Sequence, residues 1–303
     1  MVLRFDQRIL SDCILSQNFS RAPKLYLPMN ELLENPVVQA GVAPFVLALI
    51  VAALLHRTRL IGLAIGAGFA AVIVMAIGFS FEPLTAVRKM VLSGAGACLL
   101  LLVLELLAVS RGIGIRIALA LAEGAAGIWV ILRVLQQQDT GPAMLAALGA
   151  AAYMAALVDG GNDAGTDPIG AAASSLMLGL GSGVLAWLGA SAALAQIGIA
   201  IGAAAGGVLL IQMVTGRRPP LGWTLALPAS TTAGMVCLLS VFTASLPWYC
   251  LIPTLAIPWA PRLYPRGKSL PVWITAFLMA SLALIPMLVA VALAWTTASA
   301  SPT

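Results

Sequence analysis

From Pro168 to Gly216 the chain carries no charged residue. A run of that length, rich in Ala, Gly, Leu and Ile, has no polar face to turn toward water. At about 20 residues per bilayer crossing it holds two membrane-spanning helices, joined by a tight small-residue turn near Gly189–Ala193. The same character extends over most of the 303 residues, of which 61% are hydrophobic and 9% charged. A soluble domain is about half apolar and a quarter charged. An outer-membrane barrel would show alternating segments of about ten residues, and no such alternation is present. The expected fold class is therefore all-α: a polytopic integral membrane helix bundle with the lipid bilayer as its surroundings.

Polar breaks divide the chain. Residues 1–36 form a polar N-terminal tail without the basic start and apolar stretch of a signal peptide. Met29, followed by Asn-Glu-Leu-Leu-Glu-Asn-Pro, is a candidate start, which would put 28 residues upstream of it. A first membrane half, 37–158, holds crossings at Val37–Leu55, Leu60–Phe79, Met90–Val109, Ile113–Gln136 and Pro142–Val158. An acidic, Gly-rich joint, 159–169, follows. The second half, 170–296, contains the two crossings of the uncharged run, then Trp223–Ala244, a segment Ser245–Ala260 interrupted by Pro247, Pro253 and Pro258, and a last crossing, Leu270–Thr296. Residues 297–303 are a short C-terminal tail. The count is about ten crossings if the Pro-rich segment spans and nine if it is re-entrant.

The net charge of +5 is not a nucleic-acid signal, because the basic residues lie mostly in short loops. With the N-terminus outside, the inside loops carry His56–Arg59, Arg111, Arg116, Arg217, Arg218, Arg262, Arg266 and Lys268. The outside loops keep Arg88, Lys89 and Arg133. Arg4, Arg8, Arg21 and Lys24 oppose that bias unless Met29 is the start. The expected location is a bacterial inner membrane. Cys13, Cys98, Cys237 and Cys250 lack metal-ligand spacing, and one histidine, His56, makes no haem or zinc site. No cofactor or metal is expected.

Ile61–Ala67 reads almost as Ile197–Ala203, at an offset of 136. Pro83-Leu84 matches Pro220-Leu221 at 137, and Cys98-Leu-Leu matches Cys237-Leu-Leu at 139. These matches suggest a five-plus-five repeat, although apolar runs also match by chance. An odd number of helices per half would invert the second copy, an architecture common among secondary transporters. Glycines at spacing four (Gly62 and Gly66; Gly179 and Gly183; Gly198, Gly202 and Gly206) predict close helix packing. In length and helix count the chain resembles the drug/metabolite transporter superfamily. The outside N-terminus departs from that family's usual orientation, and no residue role is carried over from it.

The carboxylates are the candidate chemistry. Glu123 falls near the centre of the fourth crossing, among Ala and Gly, where an ionised acid costs about 3 kcal/mol or more. A partner, a protonated state or a water-filled path would offset that cost. Glu105 and Arg116 sit at similar depth at the ends of the third and fourth crossings, so an ion pair between them is expected. Arg116, two turns from Glu123, is also within snorkelling reach of it. Asp159, Asn162, Asp163 and Asp167 offer oxygens that suit a hard cation, or form a solvated linker. Asp159, at the membrane end of the fifth crossing, is the second candidate for proton coupling. Gln196 and Gln212 are further polar contacts.

No Walker A loop, GxSxG or HExxH is present, and no catalytic residue is assigned. The expected function is a secondary transporter of a small solute, coupled to protons or another cation. The alternative is a non-catalytic subunit or scaffold that docks membrane-protein partners, or further copies of itself, on its Gly-rich faces. A membrane-embedded lipid-modifying enzyme is the third reading.

Overall fold

The computed structural model describes residues 35–78, 82–109, 112–164, 167–220, 222–244, 246–265 and 270–300. Most of the tail, including the Met29 question, lies outside them. The regular elements among the described residues are all helical, with no strand. In order the elements are α1 (Val38–Leu55), α2 (Arg59–Ile77), α3 (Ala86–Leu106), α4 (Ile113–Leu135), α5 (Thr140–Ala164), α6 (Pro168–Leu188), α7 (Ala192–Thr215), α8 (Leu227–Thr243), α9 (Leu251–Ala256) and α10 (Val272–Ala300). Helices form because hydrocarbon offers no hydrogen bonds, so each backbone group must find a partner within its own segment.

Eight of these helices, all but α8 and α9, are long and apolar enough to cross a membrane. Their outward faces expose Leu54, Leu121, Leu145, Trp187, Val214 and Phe277. A water-soluble bundle buries such residues. Here they form the surface, which suits a hydrocarbon surround.

The sequence-predicted joint at 159–169 is corrected. α5 continues through Asp159 and Asn162 to Ala164, so the break from α6 is only a few residues long. Asp167 then starts α6 as its N-cap. Its Oδ1 accepts the Ile169 N–H at 3.1 Å, and Pro168 occupies the first turn, where a missing N–H costs nothing.

α6 and α7 cross at the predicted glycines. A Cβ on Gly183 would meet the Ile199 nitrogen at 2.7 Å, and one on Gly202 would meet the Leu180 nitrogen at 2.7 Å. Backbone therefore lies on backbone, which only residues without a side chain permit. α1 and α2 pack on α7, and α10 packs on α6.

α8 is the hub. From Leu227 to Ser240 every residue is buried, and its neighbours are α6 and α7 on one side and α3, α4 and α5 on the other. That explains its shorter length of 17 residues: it is surrounded by protein rather than by lipid.

The Pro-rich segment is a broken helical path. A 3-10 turn, Trp248–Cys250, leads into α9, and a second, Ala260–Leu263, follows. Pro253 and Pro258 remove backbone donors along it, so a continuous α-helix cannot form. The segment is tied to α5 by a hydrogen bond between the Tyr153 and Thr254 hydroxyls at 2.9 Å. Further along, Trp259 lies against Gly160, and Pro261 lies against Gly170.

Candidate functional site

The polar side chains gather between α3, α4, α5 and α8, at two levels. The first level is at the bundle end where α3 stops and α4 and α8 start. Sequence reasoning expects Glu105 to pair with Arg116. In the structure each has a different partner. Glu105 Oε2 accepts the backbone N–H of Trp223 at 2.5 Å. Arg116 forms an ion pair with Asp159 across α4 and α5. The reason is direction. The segment leading into α8 folds across the end of α3 and brings the Trp223 backbone N–H to Glu105, while the end of α5 brings Asp159 to Arg116. The Trp223 indole N–H donates to the Val109 carbonyl at 3.1 Å, and the Thr224 hydroxyl donates to the Arg59 carbonyl at 3.5 Å. Gly222 lies against Glu105 and the Arg59 carbonyl with no room for a Cβ.

The candidate cation loop does not act as one unit among the described side chains. Asp159 is committed to Arg116 and Asp167 to its capping bond. The Asp163 side chain lies outside the described residues. Asn162 is buried, and its Nδ2 has no hydrogen-bond partner. Among the described residues no three His, Cys, Asp or Glu side chains come together as a metal site.

The second level is about two turns deeper along α4. Glu123 is only 8% exposed, and its Oε2 has no hydrogen-bond partner. The Thr231 hydroxyl of α8, 1% exposed, stands beside it within hydrogen-bonding reach. The Cys98 thiol of α3 is within electrostatic reach of the same carboxyl. α3, α4 and α8 thus each bring one polar group to the same level of the bundle. A buried polar atom without a partner costs about 1–3 kcal/mol.

Sequence reasoning missed Thr231 and Trp223. The signal for Thr231 is present: Ser230-Thr231-Thr232 is a run of three hydroxyls in an otherwise apolar helix. Thr232 returns its proton to the Pro228 carbonyl at 2.6 Å, as membrane-helix hydroxyls commonly do, whereas Thr231 does not. No sequence signal marks Trp223, because its role depends on where its loop folds. Lys89 is also buried. Its Nζ donates to the Trp129 carbonyl at 3.3 Å and lies 5.3 Å from that indole's centre. Gln212 ties α7 to α6 by donating to the Pro168 carbonyl at 3.3 Å.

A cleft of about 1090 Å³ lies elsewhere, between α5, α8 and α9, lined by Leu145, Ala150, Leu238, Phe242, Leu251 and their neighbours. It is almost wholly apolar, and neither Glu123 nor Asp159 lines it.

Comparison with protein-family models, with curated proteins and with solved structures finds no match. The functional reading therefore rests on the geometry alone.

Proposed function

We propose that the chain is a secondary transporter of a small solute, coupled to protons or another cation, with Glu123 as the coupling group. The observation that supports it is Glu123 itself: a carboxyl inside a membrane-class bundle, buried, with its Oε2 lacking a hydrogen-bond partner, beside the Thr231 hydroxyl of the hub helix. A group of that kind can take a proton or a cation from one side and release it to the other, because the nearby Arg116 is paired with Asp159 and does not fix its charge. Asp159, held by Arg116, is a structural ion pair in this reading, and Glu105 holds the loop before α8.

The proposal includes ten crossings, the ninth being the irregular path Trp248–Leu263 alongside α5, with the N-terminus outside a bacterial inner membrane on the loop-charge bias. It does not include the five-plus-five inversion. That symmetry would match the packing of α1 on α7 with a packing of α6 on α2. The first pair is extensive, and the second is not among the packed pairs. Gly62 and its sequence counterpart Gly198 also meet different surroundings, the loop at Thr224 and the α6 backbone. Against the partner-subunit reading, the glycine faces of α6 and α7 are used inside the chain.

The test is proton flux in proteoliposomes across a panel of solutes, comparing the natural protein with Glu123→Gln. Solute-dependent proton movement that disappears in a folded Glu123→Gln protein supports the reading. Flux that survives the substitution removes Glu123 from the mechanism.

A further inference from the structure

The cleft between α5, α8 and α9 plays no part in the reading above. Its volume of about 1090 Å³ is that of a large small-molecule site. The space exists because the Pro-broken path after α8 cannot lie along α5 as a full-length helix: α9 has only 6 residues. Ala150, Tyr153 and Leu238 form the buried floor, and Leu145, Trp248 and Ile252 form a rim that is more than half exposed. None of the buried polar atoms that lack a partner belongs to a lining residue. The Tyr153 hydroxyl is already bonded to Thr254. An occupant therefore finds no hydrogen-bond partner along the body of the cleft, which suits hydrocarbon and penalises a polar solute.

The polar groups stand at one end. Gln138 follows the end of α4, and Trp248 opens the irregular path. Arg133, in the last turn of α4 beside the lining residue Val134, is exposed and makes no ion pair among the described residues. An indole at such a position sits at headgroup level. Along α5 the lining runs from Leu145 to Ala156, eleven steps of about 1.5 Å, or about 16 Å. Half of a hydrocarbon core of about 30 Å is about 15 Å. The cleft thus has the depth of one leaflet. A partner's transmembrane helix would need about twice that.

We propose that the cleft is a binding site for one phospholipid of the surrounding bilayer. An acyl chain lies along α5 between α8 and α9, and the phosphate sits at the end that carries Gln138, Trp248 and Arg133. Each methylene buried there contributes about 0.8 kcal/mol, and the guanidinium attracts an anionic headgroup. The site does not depend on Glu123 or on transport.

The experiment uses the full chain, purified in detergent and stripped of lipid. It is titrated with a phosphatidylglycerol that carries a photoactivatable diazirine midway along one acyl chain. Crosslinking is expected to saturate near one lipid per chain, on peptides of α5 and α9. A Cβ on Gly149 would meet nothing within 4 Å, so Gly149→Trp fills the cleft without a clash at the backbone. It is expected to weaken crosslinking by about tenfold, the equivalent of about two methylenes left unburied. Ala152→Leu is a smaller plug in the same cleft and carries the test if Gly149→Trp does not fold. Leu121→Trp, on an outward face of α4 that does not line the cleft, is expected to leave crosslinking unchanged. Crosslinks spread over the outward faces, or unaltered by both plugs, overturn the site. So does a stable dimer of the chain with no crosslink in the cleft, which would make a second copy the occupant. A diazirine fatty acid that binds as tightly overturns the phospholipid assignment. The readout involves no flux, so this inference and the transport reading fail separately.

Discussion

Replacing Glu123 by methionine is expected to stabilise the protein. The two side chains are close in length and volume, so the swap leaves little cavity or strain. What changes is polarity. Glu123 Oε2 is buried without a hydrogen-bond partner. Methionine removes that group and fills its space with a thioether that asks for no partner. An unpaired buried polar group costs about 1–3 kcal/mol, so the variant should gain roughly that amount. In a chain of 150–250 residues 1 kcal/mol moves the midpoint by about 2–4 °C, and a longer chain moves somewhat less. The expected rise in Tm is therefore roughly 2–8 °C, read by tryptophan fluorescence on the purified protein in detergent. Flux, by the reading above, is lost in the same variant. That combination, higher stability with lost activity, is the signature of a residue kept for function. A fall in Tm of several degrees would refute the reasoning, because it would mean that the Glu123 carboxyl holds the bundle together through hydrogen bonds.

The α6–α7 crossing gives a second test. Gly183→Ala puts a methyl against the Ile199 backbone and should cost about 1–3 kcal/mol, whereas Gly96→Ala, with nothing within 4 Å of its new Cβ, should be neutral or mildly stabilising in the same melt. Arg116 and Asp159 should show a coupling of no more than about 1 kcal/mol in a double-mutant cycle, since both side chains are partly exposed, at 28% and 43%; a coupling near zero would show that the pair adds nothing. Asp167→Ala removes the α6 cap and should lower stability by about 0.5–2 kcal/mol, with Asp167→Asn restoring most of it. Tyr153→Phe and Thr254→Val break the link between α5 and α9; each should cost about 1 kcal/mol, and together little more than one alone.

Much of the fold was legible in the residues. Apolar runs broken by Arg57–Arg59, Arg111–Gly112 and Arg217–Pro220 delimit helices in the structure, because charge and proline disfavour the hydrocarbon core. The Gly-x-x-x-Gly spacing correctly announced close packing, since a helix turn sets which residues share a face. The end of α5 was less legible. Asp159, Asn162 and two glycines look like a loop by composition, yet the helix continues, because packing of Gly160 on Trp259 and Gly161 on Ser230 overrides weak local propensity.

The sequence alone determined the class of this protein, its helices and the position of Glu123 deep in one of them, because those depend on hydropathy and on spacing along the chain. Partnership was decided only by the tertiary structure. Glu105 bonds Trp223, a residue far along the chain, and not Arg116; Asp159 takes Arg116; Thr231 comes to stand beside Glu123. These pairings follow from how helices and loops cross in space. Spacing along one helix fixes which residues share its face, but nothing in it specifies which other helix that face will meet.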